Sequence, residues 1–432
     1  MSKSARKKEV LQSVRGMHDI LPEDQMYWTR AYETYKEVAS YYNFQHIDTP
    51  LVEERALFER SNDQSEMVQK EMYLVSTGKN KQPMALRPEG TAGVARAYIE
   101  HGMKKWPHPV KLAYYGPFFR HDKPQLGRYR QFFQAGFEIF SSTIDPIYDA
   151  QSILASYRFI EALKIKGVSI HINTIGTPKC RQAYLQKLKA FFKSNGKKLT
   201  ADQKKQTDEN PLRLLDSKEK NIEEMRSEAP NILDHLDGDS KDHFMEVLEY
   251  LEDLSLPYTL DHTLVRGLDY YSHTVFEFVL DRKEGEEGLN LALGGGGRYD
   301  YLVELLGGRA TPAVGSAPGV SRIVDVMKRR QLVTAKRPQK RVFLIHIGEL
   351  PKKKSLTIIE DLRRANVAVT EALGKASLGA QLKSADKEGS AIALIFGQKE
   401  AYENSIIIRD MKTGAQETVP LDKVAKVVKK RM

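Results

Sequence analysis

Apolar residues near the start of the chain recur at helical spacing. Trp28, Ala31, Tyr32, Tyr35, Val38 and Ala39 share one face, and Pro22-Glu23-Asp24 stands where such a helix would open. Phe44 to Val52 then reads as a strand. Pro50 within it marks an end, edge or kink, because proline donates nothing to a ladder. From Val110 to Phe140 the pattern is strand, polar loop, strand. Lys111 to Tyr115 enters, and Arg130 to Phe140 leaves with alternation around Phe132, Gln134, Gly136 and Glu138. The loop from His121 to Tyr129 is rich in charge, which predicts a hairpin with a functional tip.

Residues from about 180 to 255 are charged and mainly helical in pattern, as in an inserted helical module. Strands return at Leu264 to Leu280 and Leu289 to Leu293. A glycine-rich turn at Gly294 to Gly297 follows, then an amphipathic helix from Asp300 to Leu306. A second glycine-rich strand leads into a helix starting near Val320. Lys336 to Lys340 reads as a linker. Beyond it, strands at Val342 to Ile347, Val367 to Thr370, Ile392 to Phe396 and Ile406 to Arg409 alternate with helices, an α/β pattern that ends in a basic helix from Leu421.

The 432 residues are 41% hydrophobic, enough for proper cores in two or three domains. No apolar run approaches the roughly 18 residues of a membrane span. The basic segment Met1 to Lys8 lacks a following apolar stretch, so it reads as a frayed tail rather than a signal peptide. A single cysteine, Cys180, leaves no intramolecular disulfide and no cysteine-based zinc cluster within these residues. A reducing cytoplasm is the expected compartment. Charge is unevenly spread: Lys328 to Met432 holds 23 Lys plus Arg against 11 Asp plus Glu, a net of +12, and the remainder holds 44 against 46, a net of −2. A basic module beside a neutral body fits polyanion binding or a solubilising surface about equally well.

There is no Gly-x-x-x-x-Gly-Lys-Ser/Thr phosphate cradle. The arginines are more informative. Arg120 closes the strand Tyr114 to Phe119, with Arg128 and Arg130 across the loop. Arg266 precedes Gly267-Leu268-Asp269-Tyr270-Tyr271, and Arg322 follows Gly315-Ser316-Ala317-Pro318-Gly319. Singly, each fits a surface ion pair. Their placement at strand ends and glycine turns suits guanidinium groups that neutralise phosphate.

Read together, these segments resemble the class II aminoacyl-tRNA synthetases, and within them the histidyl-tRNA synthetases, over nearly the whole chain. Val14 to Pro22, Lys70-Glu71-Met72-Tyr73 and Leu86-Arg87-Pro88-Glu89-Gly90-Thr91 are similar to that family's opening segments. Phe119-Arg120-His121 through Gly127 to Phe132 resembles motif 2, and Gly315 to Arg322 has motif 3 spacing. Leu264 to Tyr271 resembles the histidine-specific signature, and Gly296-Gly297-Arg298-Tyr299-Asp300 its companion.

The resemblance implies an α+β fold: a catalytic core over residues 1–335 on an antiparallel sheet flanked by helices, a helical insertion over 180–255, and an α/β anticodon-binding domain over 336–432. It implies ligation of L-histidine to tRNA(His) through histidyl-adenylate. ATP enters with Mg2+ as substrate, and no protein-bound structural metal is expected. Arg120, Arg266 and Arg322 would be catalytic; Arg120, Arg128 and Arg322 would bind ATP. Glu89, Thr91 and Gln134 would hold the substrate ammonium and carboxylate. Glu138 and Tyr271 would engage the imidazole, walled by Tyr270 and Tyr299. Gln125 would touch the tRNA acceptor end, and the insertion with Asn210 to Asp216 would grip the acceptor stem. The segment around Pro50 would build a homodimer interface, with no membrane association. A non-catalytic relative or a pure RNA-binding module would not need the Arg266 signature and the basic module together. Against the family pattern, Asn43 stands in place of a glycine, Lys123 of an arginine, Ser321 of a glutamate and Pro318 of a flexible apolar residue.

Overall fold

A computed structural model describes residues 10–431 apart from 63–64, 66, 79, 126, 216, 218, 282–291, 334–340 and 375–376. The tail Met1 to Lys8, the stretch Leu289 to Leu291 and the linker Lys336 to Lys340 lie outside the described residues. Two compact units divide the chain, Met1–Thr334 and Ala335–Met432.

The first unit contains strands β1 (Gln45–His46), β2 (Val52–Glu54), β3 (Leu74–Thr77), β4 (Asn80–Leu86), β5 (Val110–Phe119), β6 (Gln131–Phe140), β7 (Val168–Thr174), β8 (Tyr258–Leu260), β9 (Ser272–Leu280), β10 (Ala292–Arg298) and β11 (Ala313–Ser316). Eight of them form one sheet in the order β1-β5-β6-β11-β10-β9-β7-β8. Its inner pairs are antiparallel, and parallel pairing is confined to the outermost contacts β1 with β5 and β7 with β8. A smaller antiparallel sheet, β2-β4-β3, lies apart from it.

Side chains alternate across a strand, and β6 shows what that does here. Ala135, Phe137 and Ile139 enter one core, shared with the helices Gln25–Tyr41, Pro146–Ala162, Gly238–Asp253 and Val320–Arg329. Phe132 and Phe140 join a second core on the other face, which also takes Tyr114, Tyr270, Tyr271 and Tyr299. Gln134 and Glu138 have the parity of that second face. Each large apolar side chain buried this way contributes roughly 1.5–3 kcal/mol.

The helical stretch begins with Pro178–Ser194, where Thr177 accepts from the Cys180 N–H as N-cap. It ends with Gly238–Asp253, whose Phe244, Val247, Leu248 and Leu251 are buried in the first core. The last helix of this stretch therefore packs into the body of the unit.

Several elements differ from the sequence expectation. Leu264 to Tyr271 is loop, and the strand starts only at Ser272. In a regular strand Tyr270 and Tyr271 would point to opposite faces. Here both enter the same core with ring centroids 4.9 Å apart, which extended backbone does not permit. The glycines Gly294 to Gly297 lie inside strand β10 rather than in a turn. Side chains there would strike the backbone of both neighbours: a Cβ on Gly295 would lie 2.5 Å from the Phe276 carbonyl oxygen, and one on Gly296 2.7 Å from the Ser316 Cα. The helix expected over Asp300 to Leu306 is only Leu302–Leu305. The first strand expectation, Phe44 to Val52, resolves into β1 and β2 in separate sheets with Pro50 between them. Asn43, at φ 58°, occupies the left-handed region just past the first helix, a conformation asparagine tolerates nearly as glycine does.

The second unit is a five-stranded sheet of β12 (Val342–His346), β13 (Val369–Glu371), β14 (Ile392–Phe396), β15 (Ser405–Asp410) and β16 (Gln416–Pro420), in the order β13-β12-β14-β15-β16. The first three are parallel and the last two antiparallel. Strand β16 is mostly exposed, so its polar sequence carried little signal.

Candidate active site

The second face of the large sheet gathers a buried acidic cluster. Glu138, fully buried on β6, accepts from Thr91 Oγ1 through Oε1 at 2.8 Å and from the Tyr299 hydroxyl through Oε2. Burial pushes its carboxyl up to about 7, and the Glu89 charge adds to this, although the Tyr299 and Thr91 donors oppose it. Glu89 is buried as well. Its two oxygens accept from the backbone N–H groups of Thr91 (2.6 Å) and Ala92 (3.0 Å), which open the helix Thr91–Glu100. Burial raises the Glu89 carboxyl despite those donors and the Arg120 charge.

Beside the two carboxyls the Tyr114 and Tyr270 hydroxyls are buried without a well-formed hydrogen bond among the described residues, and so is Gln134 Oε1 further along β6. Buried polar groups left this way are costly, and a bound polar molecule would satisfy them. Tyr114 escaped sequence reasoning. Its signal lay in two distant glycines: a Cβ on Gly90 or on Gly136 would overlap its ring.

The edge of this cluster is cationic. Arg322 Nε donates to the Gly127 carbonyl (2.8 Å) and Nη1 to the Ala292 carbonyl (2.7 Å), so its guanidinium ties the hairpin loop to the start of β10. Burial and then the charges of Arg128, Arg120 and Arg266 pull it down to about 10. Three guanidinium groups, two from the hairpin and one from the loop Leu264 to Tyr271, thus crowd that of Arg322, an arrangement that a polyanion relieves. Arg120 Nε donates to the Pro88 carbonyl at 2.8 Å, and its guanidinium lies 5.5 Å from the Phe132 ring centroid. Its charge reaches both Glu89 and Arg322, so it joins the acidic cluster to the cationic edge. Arg266 pairs with Glu277 of β9 and adjoins Tyr271. Arg128 pairs with Asp122 at 3.0 Å.

Every residue expected to bind histidine thus lies on one face, and the expected ATP arginines lie along its edge. Gln125 does not join them. It is exposed at the hairpin tip, where its backbone bridges Arg128. Ser321 is structural. Its Oγ accepts from the Phe133 N–H at 2.9 Å, and the helix Val320–Arg329 starts regularly beside it. Pro318 keeps its carbonyl in use as acceptor for the Ala135 N–H at 3.0 Å.

In its antiparallel sheet, with arginines along one edge and a buried acidic cluster on one face, the first unit resembles the core of the class II aminoacyl-tRNA synthetases. The family profile described as Histidyl-tRNA synthetase matches residues 16–323, and that described as Anticodon binding domain matches residues 341–431. The chain belongs to the histidyl-tRNA synthetase family, and with it to the ligases. It is 41% identical to a histidine–tRNA ligase of Dehalococcoides mccartyi over 98% of this chain and 100% of that one. It is 40% identical to a histidine–tRNA ligase of Aquifex aeolicus over 96% of this chain and 100% of that one. Among solved structures it resembles apo S. aureus histidyl-tRNA synthetase, with a TM-score of 0.76 at 31% identity, covering 97% of this chain and 99% of that one. No described helix is long and apolar enough to cross a membrane.

Proposed function

We propose that this chain joins L-histidine to tRNA(His) in two steps. The histidine carboxylate attacks the α-phosphorus of ATP and expels pyrophosphate, giving histidyl-adenylate. A ribose hydroxyl at the tRNA 3′ end then attacks the carbonyl carbon, and AMP leaves. The observation that carries this reading is the adjacency of the Glu138 cluster to the edge of crowded arginines around Arg322.

Each residue has a role in that scheme. Glu138 accepts a hydrogen bond from an imidazole N–H, with Tyr271 at the ring and Tyr270 and Tyr299 as walls. A site built to satisfy such a bond rejects analogues that lack it by about 10⁴-fold or more. Glu89, Thr91 and Gln134 take the ammonium and carboxylate. Arg120 and Arg266 approach the α-phosphate from two sides, and Arg322 with Arg128 takes the terminal phosphates. Mg2+ arriving on ATP supplies further neutralisation of the phosphates. Catalysis here is electrostatic and positional, with no covalent bond to the protein.

The second unit binds the anticodon region through its positive charge, and Gln125 at the exposed tip meets the acceptor end. Homodimerisation is part of the same reading, favoured by the exposed apolar residues Leu51, Val52 and Leu74 near Pro50.

The test is a single-turnover experiment. Protein is incubated with ATP and labelled histidine, freed of small molecules, and mixed with tRNA(His). Label retained as adenylate and then transferred to tRNA supports the scheme. Charging of tRNA with no adenylate formed beforehand would rule out two separable steps.

A further inference from the structure

Arg298 is fully buried, and nothing in the scheme above uses it. Its Nε donates to both Asp149 oxygens (3.2 and 3.1 Å), and its Nη2 also meets Asp149. Nη2 reaches the Asp145 carbonyl at 2.9 Å, at the cap of the helix Pro146–Ala162, and Nη1 donates to Asp300 Oδ1 at 3.1 Å. Asp300 in turn holds two strand ends. Its Oδ1 accepts from the Ala313 N–H (3.2 Å) at the start of β11, and its Oδ2 accepts from Ser272 Oγ (3.2 Å) at the start of β9. Its own N–H donates back to Ser272 Oγ at 3.3 Å.

These anchors sit next to the proposed histidine site without touching it. Ser272 directly follows Tyr271, and Tyr299 lies between Arg298 and Asp300. The β9–β10 register shifts between Gly297 and Arg298, and Arg298 pairs with Ser272. A shifted register at a strand end re-aims the side chains beyond it. Arg298 turns toward the Pro146–Ala162 helix, while the next residue, Tyr299, reaches Glu138 on the other face.

We propose that Arg298 is a positioning residue for histidine recognition. Clamped by Asp149 and Asp300, it fixes the ends of β9 and β10 so that the Tyr299 hydroxyl meets Glu138. The inference rests on the reading that Glu138 and Tyr299 receive the imidazole. A buried ion network adds little stability over an apolar replacement of the same shape, and here each of its partners ties Arg298 to a strand or helix end. The charged and titratable groups facing the network are Asp149 and Asp300 themselves, His243 with Nε2 3.5 Å from Asp149 Oδ1, His273 with its ring centroid 5.1 Å from that of His243, and Tyr301, whose hydroxyl feels the Asp300 charge.

The test uses the full chain with Asp300→Asn, Ser272→Ala and Arg298→Lys, and Glu138→Gln as reference. KM for histidine and KM for ATP are measured by pyrophosphate exchange from pH 6 to 9, alongside Tm. The expected result is a rise of about tenfold or more in KM for histidine for Asp300→Asn and Arg298→Lys, with a smaller rise for Ser272→Ala. KM for ATP stays within about twofold. The pH midpoint of kcat/KM for histidine moves upward, because Glu138 loses the Tyr299 donor that holds its carboxyl down. Should Arg298→Lys fail to fold, the two milder variants decide. If Glu138→Gln leaves KM for histidine unchanged, the reading of the site falls and the inference with it. If Glu138→Gln raises KM for histidine but the network variants move both KM values together, or lower Tm alone, the inference falls and the reading stands.

Discussion

Glu138 and Gly315 face each other in register across β6 and β11, and a Cβ on Gly315 would overlap Glu138 Oε2. The carboxylate can lie flat on the sheet only because that neighbour has no side chain. Gly315→Ala must therefore displace Glu138 or part the strands. Histidine-dependent pyrophosphate exchange is expected to fall by about 10²-fold or more in kcat/KM, from a lost buried hydrogen bond plus an unpaired carboxyl. KM for ATP should change far less. A variant with normal histidine kinetics would show that Glu138 does not read the substrate.

Protonation of Glu138 gives a prediction for stability. Its carboxyl stands at about 7 in the folded protein against an ordinary value of 4.5. Between those limits the folded state holds a proton that the unfolded chain has released, so this residue lowers stability as pH rises from about 4.5 to about 7. Glu138→Gln abolishes that contribution. Tm of the variant relative to the parent should climb between pH 5 and pH 8 and then level off, read by calorimetry. A difference that is flat or declines with pH would contradict the buried, elevated carboxyl.

The crowded arginines predict separable kinetic losses. Arg266→Ala should lower kcat for adenylate formation by about 10²–10³-fold, the usual cost of removing a preorganised donor at developing charge. Arg322→Ala should instead raise KM for ATP by at least about tenfold, on the proposal that it meets phosphates distant from the reacting centre. Stopped-flow and exchange assays over an ATP titration distinguish the two. Identical effects of both changes would argue against the division of labour.

Charge in the second unit predicts a salt dependence confined to tRNA. Raising salt from about 50 to about 200 mM should weaken kcat/KM for tRNA by orders of magnitude if several phosphates are contacted. Tested alongside it, tRNA-independent pyrophosphate exchange should fall far less. Equal sensitivity in both assays would remove the basic unit from RNA binding.

Much of this arrangement was legible in the sequence where chemistry depends on local pattern. The arginines at strand ends and glycine turns, and the alternation that puts Glu138 on the face opposite Phe137, could be read directly. What could not be read arises from packing between distant segments. Leu264 to Tyr271 looks like a strand by composition, but the loop is set by the shared burial of Tyr270 and Tyr271. The need for Tyr114 is visible only once Gly90 and Gly136 are seen to make room for it. Glu89 shows a similar limit: its place after Pro88 does not reveal that both its oxygens accept from the backbone N–H groups opening the helix Thr91–Glu100.

In the proposed scheme, a buried acidic cluster beside crowded arginines activates one amino acid. Pyrophosphate exchange measured with each of the standard amino acids, with Arg266→Ala in parallel, tests it most directly. Exchange is expected with histidine alone, abolished or nearly so in the variant. Exchange of similar size with other amino acids, or none with histidine, would contradict it.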